Sequence, residues 1–451
     1  MKRIIIAGTH SGCGKTTVTC AVLSALKARG LRVSAFKCGP DYIDPMFHRE
    51  VIGVPSHNLD SFFCGDSTLR YLLDVNSAGS DIAVTEGVMV FYDGSGGRGS
   101  AYSLSEVTET PAVIVLDCKG MSDSLGAVMK GFLTYRENRI AGFVFNRLPE
   151  RLVQLAERLC GELGTTFFGY LPKTEISVES RHLGLVTAEE ISDIRYKLRQ
   201  LGELAERHIG IDDLIESAEC GELRCDPPVI PPPAARRRPV IAIAKDKAFC
   251  FIYADNTDLL ERMGCEIRFF SPLADRHVPE DADGLILCGG YPELYAEELS
   301  ANGEMLRDIR ERINSGLPTI AECGGFMYLH SYFEDMDGNA YRGADVIHGK
   351  AYRTDKLQRF GYVTLKANSD NLLCGNGAGF PAHEFHYFDS TVCGNGFTAS
   401  RSDGRKWECV NSSEVLYAGF PHLYFYAEPA MAVNFVKRCV EYGNKRNNTG
   451  R

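Results

Sequence analysis

Two segments of this chain hold residues whose types and order suit them to chemistry. The first, Gly8-Thr-His-Ser-Gly-Cys-Gly-Lys15-Thr16-Thr17, lies between an apolar run and a helical pattern. Its glycines, Gly12 and Gly14 among them, let successive backbone N–H groups converge on phosphate oxygens, and the N-terminus of the next helix adds positive potential. Lys15 is expected to reach the outer phosphates, the Thr16 hydroxyl to hold Mg²⁺, and Thr17 to complete the loop. The second segment, Leu317-Pro-Thr-Ile-Ala-Glu-Cys323-Gly-Gly-Phe-Met, sets a thiol at a strand-to-helix turn. A tight turn, eased by Gly324 and Gly325, exposes the side chain above the sheet, and the helix N-terminus favours the thiolate. Phosphoryl transfer and nucleophilic attack by sulfur are the two chemistries these segments suit.

Both chemistries need partners. Glu86 ends the run DIAVTE, Asp93 follows in the next loop, and Asp41 and Asp44 stand in CGPDYIDP, after a strand ending near Lys37. Each acid alone is an ordinary cap or turn residue. Four of them beyond strand ends, on the side where open α/β sheets bind ligands, point to Mg²⁺ handling or substrate positioning, with Glu86 joining Thr16 at the metal. Asn146, at the end of GFVFN, suits a contact to the nucleotide base and a plain turn equally well. For the thiol, the candidate bases are His383 and His386 in HEFH, and His422 in GFPHLYFYAEP. The His-x-x-His pair has no further ligand cluster, so it does not read as a metal site. His422 is preferred, because it follows the strand-like run Val415–Phe420. Cys288-Gly289-Gly290 ends another strand and offers backbone N–H groups to an oxyanion.

The elements that must position these residues are also readable. Ile4–Ala7, Val33–Lys37, Ile82–Glu86, Ala112–Asp117 and Gly142–Asn146 each fit a buried strand of a parallel sheet. Between them lie helical patterns such as Thr16–Arg29, which gives a doubly wound α/β domain. The proline-rich stretch from Asp226 can be neither helix nor central strand and reads as a linker. Beyond it, Val240–Ala244, Gly284–Cys288 and Pro318–Ala321 restart the α/β pattern. The expected division is a domain over 1–225, a linker over 226–238 and a second domain over 239–451. A chain of 451 residues accommodates two such cores. The net charge of −10 argues against non-specific nucleic-acid binding, which depends on Lys and Arg. No apolar run is long enough to span a bilayer, and Ile4–Ala7 before a phosphate loop reads as a strand rather than a signal peptide. Sixteen cysteines without a C-x-x-C spacing suggest reduced, mostly buried thiols in a cytoplasmic protein, with Cys323 set apart.

Taken together, these segments resemble the cobyrinate a,c-diamide synthase family nearly end to end. The likeness is carried by GTHSGCGKTT, FKCGPDYIDPMFH, HNLDSF, TEGVMVFYDG, FNRL and RHLGLV in the first half. In the second half it is carried by CGGYPELYAEELSAN, AECGGFMYLH, HEFHY and PHLYFY. Thr9, where the usual phosphate loop has glycine, matches ATPases that resemble dethiobiotin synthetase. The resemblance implies an N-terminal P-loop domain of that kind and a C-terminal class I glutamine amidotransferase-like α/β domain. It implies that ATP with Mg²⁺ phosphorylates a carboxylate of a corrinoid macrocycle, and that ammonia from glutamine displaces the phosphate. Asp41, Asp44, Glu86 and Asp93 are then catalytic, Tyr42 and Ile43 choose the carboxylate, Cys323 attacks glutamine and His422 moves the proton. The implied partners are ATP, glutamine and the macrocycle, with no nucleic acid and no membrane; a homodimer is compatible with all of this. Sister enzymes acting on hydrogenobyrinate or nickel-sirohydrochlorin share these motifs. A partitioning-type ATPase has no use for Cys323 and His422, and has a lysine where His10 stands. In two respects the chain departs from triad amidotransferases: Tyr424 stands where they carry a glutamate two residues after the histidine, and Ala321 stands where the elbow usually has a glycine. The third member is then absent or drawn from Glu384 or Glu428, which implies weak glutaminase activity without the second substrate.

Overall fold

A computed structural model describes residues 1–174, 176, 188–230 and 237–449. The RHLGLV segment (181–186) and residues 231–236 of the proline-rich stretch lie outside the described residues. The chain divides into two compact units, Met1–Pro228 and Val229–Arg451.

The first unit is built on seven strands: β1 (Lys2–Gly8), β2 (Val33–Cys38), β3 (Ser56–Leu59), β4 (Ile82–Glu86), β5 (Ala112–Asp117), β6 (Ile140–Asn146) and β7 (Thr166–Leu171). Their order is β3-β2-β4-β1-β5-β6-β7, and every pairing is parallel. β5, Ala-Val-Ile-Val-Leu-Asp with every residue buried, shows why such strands read as continuous apolar runs. Helix α1 (Lys15–Ala28) starts directly after the phosphate loop, and the short helix α2 (Ile43–Phe47) follows β2. Register then sets the chemistry: Lys37 on β2 is the Cα partner of Glu86 on β4, and Asp117 on β5 is the partner of Asn146 on β6. All four stand at C-terminal strand ends, where such sheets bind ligands.

The second unit has a six-stranded sheet made of β8 (Val240–Ala244), β10 (Glu266–Phe270), β11 (Gly284–Leu287), β13 (Thr319–Glu322), β22 (Asn411–Ser412) and β23 (Leu416–Gly419). The strands lie in the order β10-β8-β11-β13-β23-β22. β9 (Phe249–Phe251) and β12 (Gly289–Gly290) form a small antiparallel ribbon. The chain between β13 and β22 builds two four-stranded sheets. One holds β14 (His330–Glu334), β15 (Ala340–Arg342), β16 (Ile347–Arg353) and β19 (Phe388–Ser390). The other holds β17 (Arg359–Ala367), β18 (Gly379–His386), β20 (Phe397–Ser400) and β21 (Lys406–Cys409). Leu285, Leu287, Ile309, Phe326, Met327 and Leu329 belong to the core behind the Cys323 turn. Among the described residues, no helix is long and apolar enough to cross a membrane.

Candidate functional site

In the first unit the phosphate loop is held from below. Gly12 and Gly14 take left-handed φ values of 80° and 91°. A Cβ at Gly14 would lie 1.9 Å from Asn146 Nδ2, so a side chain there would strike Asn146 as well as strain the turn. Asn146 is itself buried and donates from Nδ2 to the Cys13 carbonyl at 2.9 Å. Its present geometry therefore braces the loop. Beside it, Arg147 donates from Nε to Asp117 Oδ1 at 2.9 Å, and His10 Nε2 lies 3.9 Å from Asp117 Oδ2. Lys15 Nζ donates to the Met89 carbonyl at 3.2 Å, and Thr17 stands half-exposed in the first turn of α1.

Around Glu86 the structure gathers a buried ionic cluster. Lys37 Nζ reaches Glu86 Oε1 at 3.0 Å and Asp41 Oδ2 at 3.9 Å, and it also donates to Asp44. The Thr16 hydroxyl donates to the same Glu86 Oε1 at 2.6 Å. Glu86 Oε2, buried and without a hydrogen bond among the described residues, lies 3.6 Å from His48 Nε2. Two carboxylates sharing one lysine also repel each other, which drives their pKa values apart. Burial raises the pKa of Glu86, but Lys37, His48 and Lys15 outweigh it and hold that acid ionised. Asp44 is pushed up to about 6 by burial and by repulsion from Glu86, against the pull of Lys37. Burial works against the Lys37 charge, yet Asp44, Glu86 and Asp41 hold its pKa well above the ordinary value.

Asp41 also shapes the backbone beside it. Its Oδ1 accepts from the N–H of Ile43 at 2.8 Å and of Asp44 at 3.2 Å, which fixes the start of α2. Tyr42 is turned inward and buried, whereas Ile43 is half-buried. Asp93 stands exposed on its loop, and among the described residues it makes no ion pair with the cluster. Asp41, Asp44 and Glu86 are thus brought together, and Asp93 is not. Lys37 and His48 were missed in the sequence. Lys37, one residue before the end of β2, stands level with Glu86 at the end of β4, so the strand-end rule would have found it; His48 carried no comparable signal.

In the second unit Cys323 has φ 47° and ψ −103°, an uncommon conformation for a residue with a side chain. Such a backbone costs about 1–3 kcal/mol and persists only where its surroundings impose it. Here the Cys323 N–H is tied to the Gly419 carbonyl at 2.8 Å, and β13 runs in register with β23, Glu322 opposite Gly419. The helix that follows, Gly324–Tyr328, is only five residues long. β23 then delivers His422, three residues past its end. The backbone N–H of His422 donates to the His383 carbonyl at 2.9 Å, which ties it to β18. Gly289 packs against both groups: a Cβ there would lie 2.7 Å from His422 Cε1 and 3.5 Å from Cys323 Cβ. His422 is buried, which opposes its charge, but Cys323 and Glu322 more than compensate and hold its pKa up at about 10.

The other candidate groups are placed elsewhere. His386 stacks on Phe420, its ring 3.9 Å away, and its Nδ1 faces the Phe388 carbonyl at 2.6 Å. Glu428 accepts from the Ala430 N–H at 3.4 Å, at the start of the last helix. Glu384 is buried on β18 with no hydrogen bond to its carboxylate among the described residues. Tyr424 is fully buried, its ring 5.1 Å from that of Tyr253, so an aromatic contact fills the position two residues after His422. Glu322, not singled out in the sequence, lies instead with Oε2 3.5 Å from His422 Nδ1. A carboxylate at the end of the central strand Thr-Ile-Ala-Glu, directly before the thiol, was its signal.

Residues 4–185 match the family model of the CobQ/CobB/MinD/ParA nucleotide binding domain, and residues 240–429 match that of the CobB/CobQ-like glutamine amidotransferase domain. The chain is 38% identical to the cobyrinate a,c-diamide synthase of Thermoplasma volcanium, across 98% of each protein. It is 37% identical to that of Caldanaerobacter subterraneus, across 98% of this chain and 99% of the relative. To that of Listeria monocytogenes it is 38% identical, across 96% of this chain and 98% of the relative.

Proposed function

The chain belongs to the cobyrinate a,c-diamide synthase family, and from that premise we propose that it uses ATP and glutamine to amidate the a and c carboxylates of cobyrinate in cobalamin biosynthesis. The observation that carries the reading is the presence, in one chain, of a phosphate loop beside the Lys37 acids and of a strained Cys323 beside His422.

In the first unit a substrate carboxylate oxygen attacks the γ-phosphorus of ATP, the bond to the ADP oxygen breaks, and an acyl phosphate forms. Lys15 neutralises charge on the migrating phosphoryl group. Thr16 Oγ1 and Glu86 Oε1, 2.6 Å apart, fit Mg²⁺, which binds through few protein oxygens and, when bound, neutralises phosphate charge. Ammonia nitrogen then attacks the acyl carbon and inorganic phosphate leaves. Asp44, with its raised pKa, is suited to take the proton that the new amide nitrogen sheds. Asp41 holds the start of α2, and with it Tyr42 and Ile43, which select the carboxylate. Asp93 acts from its exposed loop.

In the second unit His422, its pKa held up at about 10, carries the proton, and the Cys323 sulfur attacks the glutamine amide carbon. His422 gives the proton to the departing nitrogen, so the C–N bond breaks, ammonia leaves and a glutamyl thioester remains for water to hydrolyse. Backbone N–H groups of Gly289 and Gly290 serve the oxyanion. None of the sixteen cysteines is exposed and none is in a disulfide, which supports a reducing, cytoplasmic setting.

The test gives purified protein ATP, Mg²⁺ and glutamine, with cobyrinate, hydrogenobyrinate or nickel-sirohydrochlorin, and reads the products by mass. Two added amides on cobyrinate are expected; no amidation of any of the three overturns the reading. Cys323→Ala is expected to lose glutamine-dependent turnover and to keep turnover with free ammonia.

A further inference from the structure

His422 sits in a clamp that the sequence did not foreshadow. On one side Glu322 Oε1 accepts from the Leu423 N–H at 3.2 Å, while its Oε2 stands 3.5 Å from His422 Nδ1. On the other, Asn256 donates from Nδ2 to the Leu423 carbonyl at 2.9 Å and accepts the Phe425 N–H on Oδ1 at 2.8 Å. Both acid and histidine are buried, at 6% and 3% exposure, so their mutual field is little screened by water. The position two residues after the histidine is meanwhile filled by Tyr424, packed on Tyr253.

We propose that Glu322, the residue directly before the nucleophile, is the positioning residue of the glutaminase centre. It orients His422 through Nδ1 from the nucleophile's own strand, in place of a carboxylate two residues after the histidine. This rests on the reading of Cys323 as nucleophile and His422 as base. The imidazole Nδ1–H points to Glu322, which leaves Nε2 to exchange the proton with Cys323. Glu322 holds the tautomer and stabilises the imidazolium. The raised pKa of His422 agrees with that role.

The decisive variant is Glu322→Gln, which keeps an acceptor for the Leu423 N–H but removes the charge. Its glutamine-dependent kcat is expected to fall roughly 100-fold, in the range of general acid–base effects, with KM little changed and ammonia-supported amidation retained. The pH profile of Cys323 alkylation by iodoacetamide is expected to move upward as the imidazolium beside the sulfur is lost. Glu322→Asp should restore part of both. Wild-type kcat together with an unshifted alkylation profile in Glu322→Gln overturns the proposal. So does a wild-type ¹⁵N-histidine spectrum in which His422 Nδ1 carries no proton at pH 8, a readout that does not depend on how the variant folds. Cys323→Ala separates the two levels. Glutamine-dependent turnover in that variant defeats the nucleophile itself, whereas its loss beside a fully active Glu322→Gln defeats only the role of Glu322.

Discussion

Glu384 lies next to His383 on β18 and shows what burial does to an acid. Burial raises its pKa to about 7, and the charge of Arg359 and the nearby Trp407 N–H offset this only in part. Because the folded-state pKa is above the ordinary 4.5, the folded protein binds this proton more tightly than the unfolded chain does. The associated stability is complete below pH 4.5 and is lost as pH rises through 7, a change of about 3 kcal/mol at 1.36 kcal/mol per unit. Glu384→Gln is therefore expected to gain on the wild type by about that much between pH 4.5 and 7.5, as read by urea unfolding. Parallel curves for the two proteins would rule this out. At this scale the sequence was informative where chemistry and position coincide. Lys15, Thr16, Cys323 and His422 follow from motif spacing, and Asp41, Asp44 and Glu86 from strand ends. Glu322 was not among the third-member candidates, Glu384 and Glu428, because only the register of β13 against β23 brings a residue preceding the cysteine to the histidine.

Elements differ in legibility for a physical reason. β2, β4, β5 and β8 are buried along their whole length, and β5 and β8 show this most plainly, as apolar runs broken only by the Asp117 that ends β5. β3, Ser-His-Asn-Leu, is a polar edge strand, and β10 at the edge of the other sheet exposes Arg268 and Phe269, so neither carries that signature. Strands β14 to β21 mix exposed with buried positions, which masks them in the same way. The ribbon β9–β12 is shorter still, yet it presses on the nitrogen centre. Gly289→Ala would drive a methyl group into His422 Cε1, at a nominal 2.7 Å. Displacing a catalytic group by about 1 Å is worth on the order of 100-fold, so glutamine-dependent turnover should drop by about that factor. Ammonia-supported turnover should not change; equal loss of both activities would mean that the strand has a wider structural role.

For the molecule as a whole, two compact units with their own sheets and cores are expected to answer to different ligands. In a calorimetric scan, ATP with Mg²⁺ should raise one transition and a glutamine analogue that alkylates Cys323 should raise the other. Nucleotide at about 100 times its Kd contributes roughly 2.7 kcal/mol to the unit that binds it. One transition shifted equally by both ligands would show that the units unfold as one. The lysine enclosed by Asp41, Asp44 and Glu86 bears on how the protein can be handled. Its acidic pocket carries a tethered counter-ion, so self-repulsion among the acids is relieved whether or not a dissolved cation is at hand. Dialysis against a chelator is accordingly expected to leave the thermal midpoint of the nucleotide-free protein unchanged, and a stock kept free of divalent ions should regain full turnover when Mg²⁺ is returned.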